Sequence, residues 1–220
     1  MAAKKASLFS VILFRKHESG VRVFLEEYSL GSFNFFKRTP IQEMIAFISN
    51  RIVQNTETEK TQEFVHKEGE GDSYKFFVKE KRGYVYVISC LIEYPNATLC
   101  LLIDDIEKHM QETGAGAAEE QEILPGGKPA EKKKENTSGL KSFVKQQMKE
   151  YQNYEEKDVM MQIQSELDDV HDLLSKTVES AIGRGQKLHD LINSAEQLSF
   201  QTKSLYRLSK KQNQKCCGLM

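Results

Sequence analysis

The chain has 220 residues, 31 of them Lys or Arg and 32 Asp or Glu, for a formal net charge of −1. That balance supplies no basic surplus to neutralise phosphates, so nucleic acid is not an expected partner. No run of about 18 apolar residues occurs and no charged-then-apolar leader opens the chain, so a cytosolic protein is expected unless something attaches it to a membrane.

In chain order, "ASLFSVILFRK" and "VRVFLEEYS" are short apolar runs separated by "HESG", whose glycine suits a tight hairpin, and both predict strands. "TPIQEMIAFISNRIV" predicts an amphipathic helix: Thr39 as its cap, Pro40 at its first position, and apolar residues at Ile41, Met44, Ile45, Ile48 and Ile52. Three more strands follow in "QEFVHKE", "SYKFFVKEK" and "GYVYVISCLI", with glycine turns at "GEGD" and "KRG". A second helix, "NATLCLLIDDIEKHM", starts at Asn96 after Pro95. The order β-β-α-β-β-β-α predicts an α+β domain, a five-stranded antiparallel sheet with flanking helices, over residues 6–112. Cys90 and Cys100 fall inside its apolar runs and read as small buried hydrophobes, with no metal-ligand or disulfide spacing among the four cysteines.

From 113 to 156 the composition changes. Small residues and the charge run of "AEKKKENTSG" cannot bury enough surface to offset backbone ordering, so a flexible linker is expected. It has room for a short helix near "SFVKQQMKEYQ", which could belong to the domain or to the tail.

Residues 157–215 carry a single pattern. Apolar residues recur at alternating steps of three and four: Met160, Ile163, Leu167, Val170, Leu174, then Ala181, Leu188, Leu191, Ala195, Leu198 and Leu205, with Thr177 and Thr202 in the same register. A helix this long, roughly 70 Å, needs partner helices to bury its seam. The remaining seam position is Arg184. A cation in an apolar layer costs several kcal/mol unless acceptors meet it, so partners are expected to bring oxygens to that layer. Gly183 and Gly185 flank it, each weakening a helix by about 0.8 to 1 kcal/mol, so the isolated segment is expected to fray there.

The chain ends "QKCCGLM". "CGLM" fits a prenylation signal, with Met favouring farnesylation of Cys217. Cys216 beside it offers a second, thioester-linked palmitoyl group, and two lipids give stable attachment where one binds marginally. Lys210, Lys211 and Lys215 add attraction to an anionic leaflet. No cofactor is expected beyond these covalent lipids, and no metal.

The heptads with a central arginine, the segment "GRGQKLHDL" and the paired cysteines before an aaX tripeptide resemble an R-SNARE, more narrowly the prenylated longin type, a lipid-anchored synaptobrevin-like protein. "GSFNFFKR", "IQEMIAF" and "EYPNATLCLLIDDI" resemble the longin-domain signature of that family. The resemblance implies a profilin-like longin domain, then a SNARE helix at 157–215 and a lipidated tail at 216–220. It implies that Arg184 forms an ionic layer with three glutamine-type helices in a four-helix bundle. It also implies vesicle fusion in ER–Golgi, endosomal or vacuolar, or autophagic transport, at the cytosolic face of Golgi, endosomal and vesicle membranes. In water, both the lipid and the seam need a cover. The expected cover is the longin domain, with the tail folded back on it and the lipid in a groove drawn from Phe33, Phe35, Phe36 and Phe47.

Other readings fare worse. The phosphate cradle GxxxxGK[ST] is absent, and the five histidines, at 17, 66, 109, 171 and 189, have no acid or cysteine partner at catalytic spacing, so no enzyme is expected. His171 and His189 fall off the seam and read as solvated. A prenylated adaptor that merely dimerises through its coiled coil is the alternative, disfavoured because a homodimer would oppose two Arg184 side chains.

Overall fold

The computed structural model describes residues 8–17, 20–55, 57, 59–66, 73–115, 137–152, 173–182 and 188–216. The sheet contains β1 (Leu8–His17), β2 (Gly20–Tyr28), β3 (Gln62–His66), β4 (Tyr74–Lys81), β5 (Tyr84–Leu91) and β6 (Leu174–Thr177), in the order β2-β1-β5-β4-β3-β6. The first five pair antiparallel, as expected; the sixth comes from the tail and pairs parallel to β3. Arg82 and Gly83, with φ of 51° and 78°, join β4 to β5, the left-handed pair that a two-residue hairpin requires.

Side chains alternate across the sheet with the period of two that a strand imposes. On β5, Tyr84, Tyr86, Ile88 and Cys90 join one apolar cluster, while Val85 and Val87 join the other. Both faces are covered, which is why these strands read as nearly unbroken apolar runs.

On one face lie helices α2 (Asn96–Thr113) and α3 (Thr137–Tyr151). Helix α3 falls in the stretch expected to be linker, yet it buries Leu140, Val144, Met148 and Tyr151 at helical spacing against the sheet and α2. His109 stacks on Phe143 at 3.8 Å, the Tyr94 hydroxyl donates to the Tyr151 carbonyl at 2.9 Å, and the Gln152 amide donates to the Leu8 carbonyl at 2.5 Å. The short helix thus belongs to the folded domain.

The other face holds α1 (Phe35–Asn55), which presents Ile45, Ile48 and Ile52 to the core. The helix starts four residues before Thr39. Asn34 caps it, its side-chain oxygen accepting the Phe36 N–H at 3.2 Å and its carbonyl the Lys37 N–H at 2.9 Å. Pro40 therefore sits inside the helix. The Thr-Pro signal marks the second turn, and Asn34 was the stronger cap upstream.

Candidate functional site

Among the described residues the tail crosses this second face in four pieces: β6, then α4 (Val178–Ile182), α5 (Leu188–Ser194) and α6 (Phe200–Cys216). The seam, expected to run as one helix only when partners pack on it, is broken here where it meets the domain. Strand β3 offers an edge of unpaired backbone groups, and "LSKT", with two poor helix formers, takes them. Leu174 pairs with Gln62 and Thr177 with Val65, and the Lys176 ammonium donates to the Gln62 side-chain oxygen at 2.7 Å.

Downstream of the strand, seam positions turn inward. Ala181, Leu188, Leu191, Leu198 and Thr202 are buried, and Ala195 and Leu205 half-buried, whereas Leu174 and Thr177 remain exposed on β6. Met160, Ile163, Leu167, Val170, Arg184 and Cys217 lie outside the described residues, and Cys216 closes α6. The heptad reading missed Val178, Ile182, Ile192 and Tyr206, each one step past a seam position and each buried in the same cluster. A three-in-seven apolar stripe, wider than a coiled-coil seam, is the signal that marks them. His189, expected in solvent, is half-buried, stacks near the Tyr206 ring at 6.0 Å and hydrogen-bonds Asn193 at 2.9 Å.

Glu43 on α1 holds the start of α6. Its carboxylate accepts the Ser199 N–H at 3.0 Å and the Thr202 hydroxyl at 2.6 Å, acting as a cap supplied by another helix. Burial alone would raise its pKa, but the hydrogen bonds from Thr202 and Ser199 outweigh this and hold it below the usual carboxylate range. A depressed folded-state pKa contributes stability above the unperturbed value and loses it as pH falls through the lowered one. Tail docking should therefore weaken in acid, as pH falls through the lowered range in which Glu43 protonates. Glu43→Ala should remove this acid-sensitive component and increase amide exchange through residues 199–203 at neutral pH; unchanged exchange there would refute the cap.

Beneath α6 lies a cavity of about 280 Å³, lined by side chains that include Phe9, Phe33, Ile41, Met44, Leu205 and Tyr206. The four phenylalanines expected to line one groove separate into three positions. Phe33 lines the cavity; Phe47, 6% exposed, is buried in the cluster shared with the tail; Phe35 and Phe36 point to solvent at the first turn of α1, 74% and 83% exposed. Phe33 lies in the loop before the Asn34 cap, whereas Phe35 and Phe36 occupy the first turn of the helix, so the cap divides this run of aromatics between the cavity and solvent.

A domain of this fold followed by a heptad tail defines a longin-type SNARE architecture. A family model described as Synaptobrevin matches residues 159–218. The "Synaptobrevin homolog ykt6" of Schizosaccharomyces pombe is 31% identical over 213 residues, covering 96% of this chain and 98% of the relative. The "Synaptobrevin homolog YKT6" of Debaryomyces hansenii is 29% identical over 192 residues, 87% of this chain and 88% of the relative, and the "VAMP-like protein YKT61" of Arabidopsis thaliana 24% identical over 191 residues, 87% of each. The chain belongs to the Ykt6 family of synaptobrevin homologues, longin-type R-SNAREs of vesicle traffic. Such proteins catalyse no reaction and partner with other SNARE helices. Among the described residues no helix is long and apolar enough to cross a membrane.

Proposed function

We propose that this chain drives membrane fusion in ER–Golgi, endosomal or vacuolar, and autophagic transport by zippering its tail with three glutamine-type helices, Arg184 meeting their amides in an ionic layer. Farnesyl on Cys217 and palmitoyl on Cys216 anchor it to the cytosolic face of Golgi, endosomal and vesicle membranes. Off the membrane, the longin domain inhibits fusion by holding the tail and takes the prenyl chain into the cavity under α6. The observation that carries this reading is that Ala181, Leu188, Leu191, Leu198 and Thr202 are buried against the domain. A side chain committed there is not available to a bundle, so folding back and zippering exclude each other. The cavity supports the shelter because its lining is largely apolar and Leu205 on its wall lies a few turns from the lipidated end.

Circular dichroism on residues 157–215, alone and mixed with three glutamine-type helices, tests the bundle. Helicity should appear only in the mixture, and Arg184→Leu should lower the specificity for that stoichiometry. Helix formed by the fragment alone would instead favour the prenylated adaptor.

A further inference from the structure

Phe35 and Phe36 are the most exposed aromatic pair among the described residues, meeting edge to face at 5.7 Å. They stand on a fixed platform. The Arg38 guanidinium donates to the carbonyls of Gly31 and Phe33, each at 3.1 Å, pinning the preceding loop beneath the helix, and Asn34 caps the first turn. Large apolar side chains held rigidly in water need an occupant.

Charge indicates which one. Between Ser29 and Gln42 the chain has Lys37 and Arg38 and no carboxylate; between Phe200 and Cys216 it has Lys203, Arg207, Lys210, Lys211 and Lys215, again with none. In a chain of net charge −1 these two segments are a local excess of cations. The fold brings them to one end. Helix α6 packs along α1: Ser199 and Thr202 meet Glu43, and Leu205 and Tyr206 line one cavity with Phe33 and Lys37. Lys203 and Arg207 lie within a turn of Leu205 and Tyr206, so cations of both segments flank the same cavity.

We infer that this end of the molecule is a membrane-contact surface: Phe35 and Phe36 insert into the headgroup region of an anionic leaflet while Lys37 and the basic end of α6 bind its phosphates. The inference rests on the membrane-anchored reading above and deepens it. Lys37 also lines the cavity, so a chain docked this way would hold its sheltered lipid close to the bilayer.

The chain contains no tryptophan, so Phe36→Trp introduces a single reporter. The test uses the full chain without its lipids, added to vesicles of phosphatidylcholine alone or with phosphatidylserine, some carrying brominated acyl chains. Emission should shift to the blue and be quenched by the brominated chains on phosphatidylserine vesicles, and Phe35→Ser with Phe36→Ser should lower the bound fraction about tenfold or more. Because both side chains are exposed, the double variant should keep its far-ultraviolet spectrum and its assembly with glutamine-type helices. Absence of quenching, or equal binding to both vesicle types, overturns the inference. A blue shift that needs no vesicles and rises with protein concentration overturns it in favour of a second copy. Failure of bundle assembly would instead strike the fusion reading, leaving the vesicle result to stand or fall by itself.

Discussion

Phe47→Glu should release the tail and turn a compact particle into an extended one. Phe47 lies two positions from Ile45, about 200° round the helix, so it faces away from the sheet that Ile45, Ile48 and Ile52 cover. It is nonetheless 6% exposed, and the apolar cluster that encloses it contains Val178, Ile192, Leu198 and Tyr206 from the tail. Its cover is therefore the tail. An ionised carboxylate enclosed there costs several kcal/mol, whereas in the open form it faces water at no cost. Arg51, whose guanidinium lies 5.5 Å from the Phe47 ring, could pair with the new charge, but a surface pair at this spacing contributes only a few tenths of a kcal/mol. Small-angle scattering of the farnesylated protein should show a radius of gyration several ångströms above the roughly 17 Å of a compact chain this long. The domain should retain its own unfolding transition. A scattering curve that stays compact would count decisively against closure by this face.

Ile192→Glu should open the molecule from the tail side without harming the bundle. Ile192 is fully buried, and the cost of charging it in the closed form, about 3 kcal/mol or more, corresponds to at least a hundredfold shift toward the open state. It sits one residue past the seam position Leu191, at a flanking site where coiled coils carry Glu and Lys. The variant should therefore assemble with glutamine-type helices faster than the parent chain, followed by stopped-flow circular dichroism. Leu191→Glu provides the contrast: it should open the chain equally and then fail to assemble. Combining Phe47→Glu with Ile192→Glu should open the chain little further than either alone, because both act on one equilibrium. If Ile192→Glu slowed assembly, fold-back would not be what competes with zippering.

Much of this was legible in the residues. The strand runs around Leu13, Phe77 and Val87 announce themselves because both sheet faces are covered, and the Lys81-Arg82-Gly83 turn because its geometry demands left-handed residues. The start of α1 was less legible: Thr39-Pro40 is a true local preference that Asn34 and tertiary packing override. Helix α3 was obscured by the charge run before it, although Leu140, Val144 and Met148 already had helical spacing.

The tail separates the two kinds of information most clearly. Its heptads, its central arginine and its cysteine-rich end are local patterns, so the sequence by itself determined the class of partner this chain is built to meet. What only the tertiary structure decided is the conformation of that same segment without partners. The free edge of β3, the uncovered side of α1 at Phe47 and the carboxylate of Glu43 come together only after the domain has folded, and they draw residues 174–177 into a strand and 178–182, 188–194 and 200–216 into separate helices. No heptad repeat could report this, because the competing surface is assembled from residues more than a hundred positions away.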